Sequence, residues 1–262
     1  MRPADLRTLF QPIVAGSAAP PRLVAFECLT RGPAGSSLES AAELFTYMRE
    51  HGLEAGIDRA CVACALETAR THGLRQLLFV NVHAVTFHRD PGFVPFLIEA
   101  TEARGLSATQ LVIEVVEHDR EQCPQETDAA LRMLARAGVA SALDDFGANL
   151  ADARLVRLWS PRYVKLDGNL LRWARRSTAA RQVIEATVAD VTRRRGEVIA
   201  EGLEHEGDLE LATRLGIGLH QGFAIARPLI ARDAAATGRR ARRGRAVLPP
   251  TRNDGTDGTA LR

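Results

Sequence analysis

The chain has 262 residues, of which 46% are hydrophobic and 25% are charged, and its formal net charge is +2. This composition is typical of a globular protein and excludes a disordered, fibrous or collagen-like chain. No run approaches the ~20 apolar residues that a membrane-spanning helix needs. The first eleven residues also lack the apolar stretch of a signal peptide, so we expect a cytoplasmic protein with reduced cysteines.

Short apolar runs alternate with amphipathic stretches of helical length along most of the chain. The predicted strands are 23–29, 77–82, 111–116, 139–143, 163–166, 197–200 and, more weakly, 217–223. The predicted helices are 41–51, 54–72, 93–104, 121–137, 151–158, 170–195 and 207–215. Repeated strand-then-helix units favour an α/β fold of the (βα)₈ barrel type. A doubly wound open sheet is the alternative, but Thr30-Arg31-Gly32-Pro33 is not the glycine-rich turn expected after its first strand.

The C-terminal segment differs in composition from the rest of the chain. Residues 231–262 contain eight Arg and three Asp, a local charge of +5, whereas the remaining residues carry −3. The segment has few residues that could be buried. We therefore expect one folded domain over residues 9–229, followed by an Arg-rich, disordered tail over 230–262 whose partner, if any, is unknown.

Polar residues recur at the carboxyl ends of the predicted strands, where barrel enzymes build their active sites. They are Glu27, Asn81, Glu114, Glu117, Asp144, Asp145, Lys165, Asp167, Glu201, Glu204 and Gln221. Several oxygen ligands, with no His or Cys among them, favour Mg²⁺ or Mn²⁺ over Zn²⁺. The adjacent Asp144 and Asp145 could bridge two ions, an arrangement that activates water on a phosphodiester.

Lys165 is the only lysine in the chain, since all other basic residues are Arg. A single remaining lysine in an Arg-rich sequence could have no special role. Its place among the strands that carry carboxylates favours instead a site that needs a compact ammonium group to position water or phosphate.

The motifs at these strand ends resemble those of the EAL domain, the family of bacterial phosphodiesterases that act on cyclic di-GMP. The similarity runs from Phe10-Gln11-Pro12 to Arg227-Pro228-Leu229. The family's Glu-Ala-Leu-x-Arg signature is matched by Glu27-Cys28-Leu29-Thr30-Arg31. The other matching motifs are Val80-Asn81-Val82, Glu114-Val115-Val116-Glu117, Asp144-Asp145-Phe146-Gly147, Lys165-Leu166-Asp167, Ala200-Glu201-Gly202-Leu203-Glu204 and Gln221-Gly222-Phe223.

The resemblance implies a modified TIM barrel with one antiparallel strand, two Mg²⁺ or Mn²⁺ ions, and hydrolysis of cyclic di-GMP to linear pGpG. It implies metal ligation by Glu27, Asn81, Glu114, Asp144 and Asp145. It further implies that Lys165 positions the attacking water, Glu201 orients it and Glu117 tethers the loop after Asp145. Nucleotide contacts or support of the binding site would come from Leu29, Arg31, Gln221, Asp167 and Glu204.

The sequence departs from the family's pattern in two places. Cys28 replaces the signature Ala, and the run 148–152 lacks the Tyr and Ser of a loop that couples metal binding to dimerisation in the family. A homodimer is therefore one possibility. The alternatives to hydrolysis are a catalytically inactive cyclic di-GMP receptor or protein-interaction module, and an enolase-like enzyme that uses Lys165 as its base.

Overall fold

The computed structural model of the chain describes residues 5–16, 21–116, 124–147 and 152–242. Its eight strands are β1 (Arg7–Ala15), β2 (Arg22–Arg31), β3 (Leu77–His83), β4 (Leu111–Val116), β5 (Ala140–Phe146), β6 (Tyr163–Leu166), β7 (Glu197–Ala200) and β8 (Leu219–His220). They close into a barrel in sequence order. β1 runs antiparallel to β2 and β8, and the other neighbouring strands are parallel. The predicted barrel with one reversed strand is confirmed.

The sequence patterns locate the strands unequally well. β4, β6 and β7 have the predicted bounds, whereas β8 is shorter than the predicted run. The reversed strand β1 escapes the strand analysis because Pro12 stands at its centre, and proline argues against a strand interior. Pro12 lies opposite Phe26 in the β1–β2 pair, in a barrel wall that is otherwise regular as far as Ile13.

Ten α-helices surround the barrel in the described residues. They are α1 (Ala41–Glu50), α2 (Glu54–His72), α3 (Ala84–Arg89), α4 (Phe93–Glu102), α5 (Pro124–Arg136), α6 (Asp152–Trp159), α7 (Gly168–Ala174), α8 (Thr178–Arg193), α9 (Glu206–Arg214) and α10 (Ala231–Arg242). The prediction of one helix over 170–195 is wrong, because the chain turns after α7. Ser177 then caps α8 by accepting a hydrogen bond from the Ala180 amide.

One apolar residue from each strand fills a layer inside the barrel. These residues are Ile13, Ala25, Phe79, Val112, Ala142, Tyr163, Ile199 and Leu219. A larger core, which includes the buried Phe10 and Phe26, lies between the barrel wall and the helices. The side chains of this layer therefore fill the barrel interior. A site inside the barrel has to lie beyond the layer, at the carboxyl ends of the parallel strands.

The C-terminal boundary of the folded domain needs correction. The prediction that the chain is disordered from residue 230 is wrong for residues 231–242, which form α10. Ala231, Ala234 and Ala235 are buried in the core, and the helix packs on β1, β2 and α2. Small alanines give a weak hydrophobic pattern, yet they let the helix approach the barrel closely. Residues 243–262 lie outside the described residues.

The packing of α10 can be tested with one buried substitution. Because Ala234 is fully buried, Ala234→Asp would place an unpaired carboxylate in the core and should lower the free energy of unfolding by about 2–4 kcal/mol. Arg232→Asp introduces the same side chain at an exposed position of α10 and should change it by about 0.5 kcal/mol or less. Urea denaturation measures both. Equal stability of the two variants would contradict the packing of α10 on the barrel.

Candidate metal centre

A ring of polar side chains lies above the apolar layer, one from each strand or from the residue that follows it. Each ring residue is two positions from its strand's layer residue, and therefore on the same inward face. In the reversed strand β1 the step runs toward the N terminus. The ring consists of Gln11, Glu27, Asn81, Glu114, Asp144, Lys165, Glu201 and Gln221. The alternation that fills the barrel therefore also places these groups together.

Lys165 is the centre of this ring. Its ammonium nitrogen Nζ lies 3.4 Å from Glu27 Oε1, 3.2 Å from Glu114 Oε1, 3.0 Å from Asp144 Oδ1 and 3.1 Å from Glu201 Oε2. The residue is 1% exposed and Glu114 is fully buried. Four carboxylates thus share a single cation in a space that little water reaches.

Two amide side chains hold Glu27 in place from either side. Asn81 Nδ2 donates a hydrogen bond to Glu27 Oε1 at 3.2 Å, and Gln221 Nε2 donates to Glu27 Oε2 at 2.5 Å. Both amides therefore present their oxygens away from Glu27. The Gln221 oxygen is buried and accepts no hydrogen bond from the described residues.

Asp145 joins the ring through an unusual backbone conformation. Neighbouring side chains of a regular strand point to opposite faces, but Asp145 has φ of 51° and the β5–β6 register shifts between Leu143 and Phe146. Oxygens of Asp144, Asp145 and Glu201 consequently lie within 4.8 Å of one another. A non-glycine residue in this region is strained, and such strain is concentrated at functional sites.

The charges in the ring shift one another's protonation. Burial raises the pKa of Glu114 well above its usual value, against the opposing charge of Lys165. Burial and neighbouring carboxylates raise the pKa of Glu201 in the same way. For Lys165, burial lowers the pKa, but the four surrounding carboxylates outweigh burial and raise it well above the usual value. Lys165 therefore stays an ammonium ion.

The ring has the chemistry of a divalent-cation site. Four carboxylates surround one ammonium group and Asp145 lies beside two of them, so acidic groups outnumber the single cation. Glu114 Oε2 is buried and accepts no hydrogen bond from the described residues, which leaves it available to a ligand. Carboxylate and amide oxygens suit Mg²⁺ or Mn²⁺. The residues present therefore fit such ions.

Other predicted site residues lie around this ring. Leu29 and Arg31 follow Glu27 on the same face of β2 and are half-buried, toward the mouth of the barrel. Asp167 caps α7 by accepting a hydrogen bond from the Asn169 amide at 2.6 Å. Glu204 is exposed after β7. Glu117 and the run 148–151 lie outside the described residues.

Gln11 is the ring member to which the sequence patterns assign no role. It lies opposite Glu27 in the β1–β2 pair, and its Nε2 donates to the Ala226 carbonyl at 3.3 Å. The available signal was its position two residues from Ile13, but this signal is visible only once β1 is known to be a strand.

The EAL domain family model matches residues 2–228. The chain belongs to the EAL domain family. BluF of Escherichia coli, named a blue light- and temperature-regulated antirepressor, is 25% identical over 219 residues, which are 83% of this chain and 53% of BluF. The bifunctional diguanylate cyclase/cyclic di-GMP phosphodiesterase MucR of Pseudomonas aeruginosa is 27% identical over 158 residues, 60% of this chain and 23% of MucR. This EAL domain therefore spans about half, or less, of the length of these relatives.

Solved structures with the same fold include complexes with cyclic di-GMP. The manganese/cyclic di-GMP complex of Klebsiella pneumoniae BlrP1 superposes with a TM-score of 0.78 at 28% identity, covering 87% of this EAL domain chain and 57% of BlrP1. The cyclic di-GMP complex of the PaMucR phosphodiesterase superposes with a TM-score of 0.76 at 25% identity, covering 87% of this chain and 98% of that one. Within the residues that the structure describes, no helix has the length and apolar character of a membrane span.

Replacement of Lys165 should destabilise this EAL domain, because the ring carboxylates would lose their shared cation. In Lys165→Met, measured in EDTA at neutral pH, four carboxylates lose their shared cation, so the free energy of unfolding should fall by about 3–5 kcal/mol. The loss should shrink on acidification, because Glu114 and Glu201 have raised pKa values and take up protons readily. Chemical denaturation at several pH values measures the effect.

Arg162→Met is the matched control, since Arg162 lies just before β6 and forms a surface ion pair with Glu197 at 2.7 Å. Its loss should cost about 1 kcal/mol or less. If Lys165→Met were no less stable than this control, Lys165 would not be balancing the ring.

His220 should make this EAL domain less stable in mild acid. It is 1% exposed in β8, and burial lowers the pKa of its imidazole below the usual value. Below about pH 6.5 the unfolded chain binds a proton that the folded chain excludes. The free energy of unfolding therefore decreases as the pH is lowered, by up to about 1.4 kcal/mol per pH unit. His220→Leu should remove this component, whereas replacement of the exposed His72 by Gln should not. Unfolding free energies measured between pH 5 and 7.5 decide the matter, and parallel curves for the parent and His220→Leu would contradict it.

Proposed function

We propose that the protein hydrolyses cyclic di-GMP to linear pGpG, with two Mg²⁺ or Mn²⁺ ions assisting the attack of water on one phosphodiester. The observation that carries this proposal is the set of four carboxylates around Lys165, with Asp145 beside two of them, within a chain of the EAL domain family. Water oxygen would join the phosphorus as one ribose oxygen leaves with a proton. Structures of Klebsiella pneumoniae BlrP1 that contain cyclic di-GMP with manganese or calcium support the same chemistry.

The ligands fall into two groups under this proposal. Glu27, Asn81, Glu114 and Asp144 would hold one ion, and Asp145 would be shared with or serve the second. Ions bound there would polarise the phosphate oxygens and lower the pKa of water, so no covalent nucleophile is needed. The positive φ of Asp145 supports its role, because it turns that carboxylate toward Asp144 and Glu201.

Lys165 and Glu201 would act on the attacking water. The Lys165 ammonium lies 3.1 Å from the Glu201 carboxylate, so a water molecule near both would meet one donor and one acceptor. The donor would hold the water oxygen, and Glu201 would orient or accept its proton. Burial and the neighbouring carboxylates raise the pKa of Glu201 well above its usual value, which favours proton uptake by its carboxylate.

Residues at the mouth of the barrel would bind the nucleotide. Leu29 and Arg31 extend from Glu27 along β2, where Arg31 could pair with a phosphate and Leu29 could pack on a base. Gln221 would support Glu27, to which it is hydrogen-bonded. Asp167 and Glu204 follow β6 and β7 and would contact the guanine or ribose groups. Glu117 would tether the loop after Asp145.

The setting of the reaction is also part of the proposal. Cys28, Cys61 and Cys64 are free and buried, which is consistent with a reducing cytoplasm. A homodimer is the assembly that the family resemblance suggests.

A non-catalytic receptor or interaction module is the second candidate, because the relative BluF is named an antirepressor. An enolase-like role is disfavoured by the charge of Lys165. A proton-abstracting lysine needs a lowered pKa, whereas the surrounding carboxylates raise that of Lys165.

The assay incubates the protein with cyclic di-GMP and Mg²⁺ or Mn²⁺ and separates the nucleotides by chromatography. We expect pGpG to form, and Glu27→Gln to slow its formation by about 100-fold or more, since the change removes a charged ligand. Glu99→Gln is the matched control, because Glu99 is exposed on α4. Mn²⁺ should also raise the melting temperature of the parent more than that of Glu27→Gln, by mass action.

Each outcome of the assay separates the candidates. Turnover that Glu27→Gln abolishes supports the hydrolase. Intact nucleotide together with calorimetric binding of cyclic di-GMP would replace the hydrolase by the receptor. Absence of both, in protein that still binds Mn²⁺, would leave a barrel used for contact with a protein partner.

A further inference from the structure

A concave site lies on the outside of the barrel, between α7 and the start of α9. Its cavity volume is about 440 Å³, within the range of small-molecule sites. It is lined by Arg172, Trp173, Arg175, Arg176, His205 and Asp208. None of these residues belongs to the ring inside the barrel, so we call this cavity the outer pocket.

Trp173 gives the outer pocket an exposed aromatic surface. It is 60% exposed, and within the described residues no ring or cation stacks on its indole. The other tryptophan of the chain, Trp159, is 9% exposed. A large apolar side chain left open on a helix needs an explanation, since exposed tryptophans are concentrated at binding sites.

Two arginines of the outer pocket are held in place. Arg175 Nη2 donates to Asp208 Oδ1 at 2.6 Å. Arg172 donates to the Asn169 side-chain oxygen at 2.8 Å and to the Gly202 carbonyl at 3.3 Å. These bonds fix the direction of both guanidinium groups before any ligand arrives, which reduces the entropy cost of binding.

The third arginine is free to bind an anion. The side chain of Arg176 is exposed and makes no hydrogen bond or ion pair with a described residue. Asp208 is the single acidic residue among those lining the pocket, and its carboxylate is 2% exposed and already engaged by Arg175 and two backbone amides. The lining therefore keeps an excess of positive charge that its own carboxylate cannot neutralise.

We propose that the outer pocket binds a nucleotide through both its base and its phosphate. The base would stack on the indole of Trp173, and the phosphate would lie between the guanidinium groups of Arg172 and Arg176, near His205. Aromatic rings stack on bases of any sequence, and arginine forks match phosphate oxygens in pairs. Inorganic phosphate alone would leave the indole unused, whereas a nucleotide uses both features within the available volume. The proposal does not rest on catalysis in the barrel.

Tryptophan fluorescence tests this proposal, because Trp173 is the exposed one of two tryptophans. The full chain is titrated in EDTA, to prevent any metal-dependent turnover, with GMP, cyclic di-GMP or inorganic phosphate, and excitation is at the red edge of the indole band. We expect saturable quenching by GMP that is absent in Trp173→Phe. Comparison of GMP with cyclic di-GMP shows whether a mononucleotide or the barrel's proposed substrate is the better ligand.

Two arginine variants distinguish binding in the outer pocket from non-specific electrostatic attraction between the nucleotide and the protein surface. Arg176→Gln should weaken GMP binding by about tenfold or more, the loss expected for one charge-assisted contact with phosphate. Arg214→Gln, on the exposed surface of α9, should leave it unchanged. Lack of saturable quenching up to about millimolar nucleotide would overturn the proposal, as would equal quenching in Arg176→Gln and Arg214→Gln. Binding of an acidic protein instead would then be the remaining explanation of the surface.

Discussion

The charge balance around Lys165 is the constraint on which the rest of this structure depends. One ammonium group lies within 3.4 Å of four carboxylates, and Asp145 brings a fifth into the same space. Carboxylates removed from water are costly unless they are paired or metal-bound. A single cation cannot balance five of them, so the folded barrel carries a built-in demand for further positive charge. This excess of acidic groups is a physical reason, independent of any resemblance, why the site could hold divalent ions.

The regular alternation of side chains along the strands positions this polar ring. The residue two positions from each layer residue joins the polar ring, so the packing of Ile13, Phe79 and their counterparts fixes where the ring side chains lie. Most ring side chains are held by strands rather than by loops, and groups held by strands are positioned accurately. Asp145 is the exception. Its positive φ and the register shift in β5 place it where regular alternation would not, and the core that surrounds it has to offset the strain.

The sequence patterns predict the members of the polar ring more completely than they predict the strands and helices. Apolar runs that end in carboxylates identify most of the parallel strands, because burial on both faces makes them continuous and their polar ends conspicuous. β1 and its Gln11 were missed, since Pro12 argues against a strand and only closure of the barrel explains its position. The sequence patterns do not predict α10, because its buried residues are mostly alanines and alanine contributes little to a hydrophobic pattern. The division between α7 and α8 depends on Ser177, a single capping residue within a long amphipathic stretch.

Substitution of Lys165 and substitution of a ring carboxylate should have opposite effects on the charge balance, and variants have to be interpreted accordingly. Loss of Lys165 leaves like charges facing one another, whereas loss of a ring carboxylate reduces the excess of negative charge. A neutral replacement of Glu114 or Glu201 therefore relieves repulsion in the ion-free protein. A ring kept for stability alone would not retain five carboxylates against one cation. The surplus lowers the stability of the ion-free fold, a cost that proteins carry at functional sites. The proposed ion binding, rather than the stability of the fold, therefore explains the excess of acidic residues in the ring.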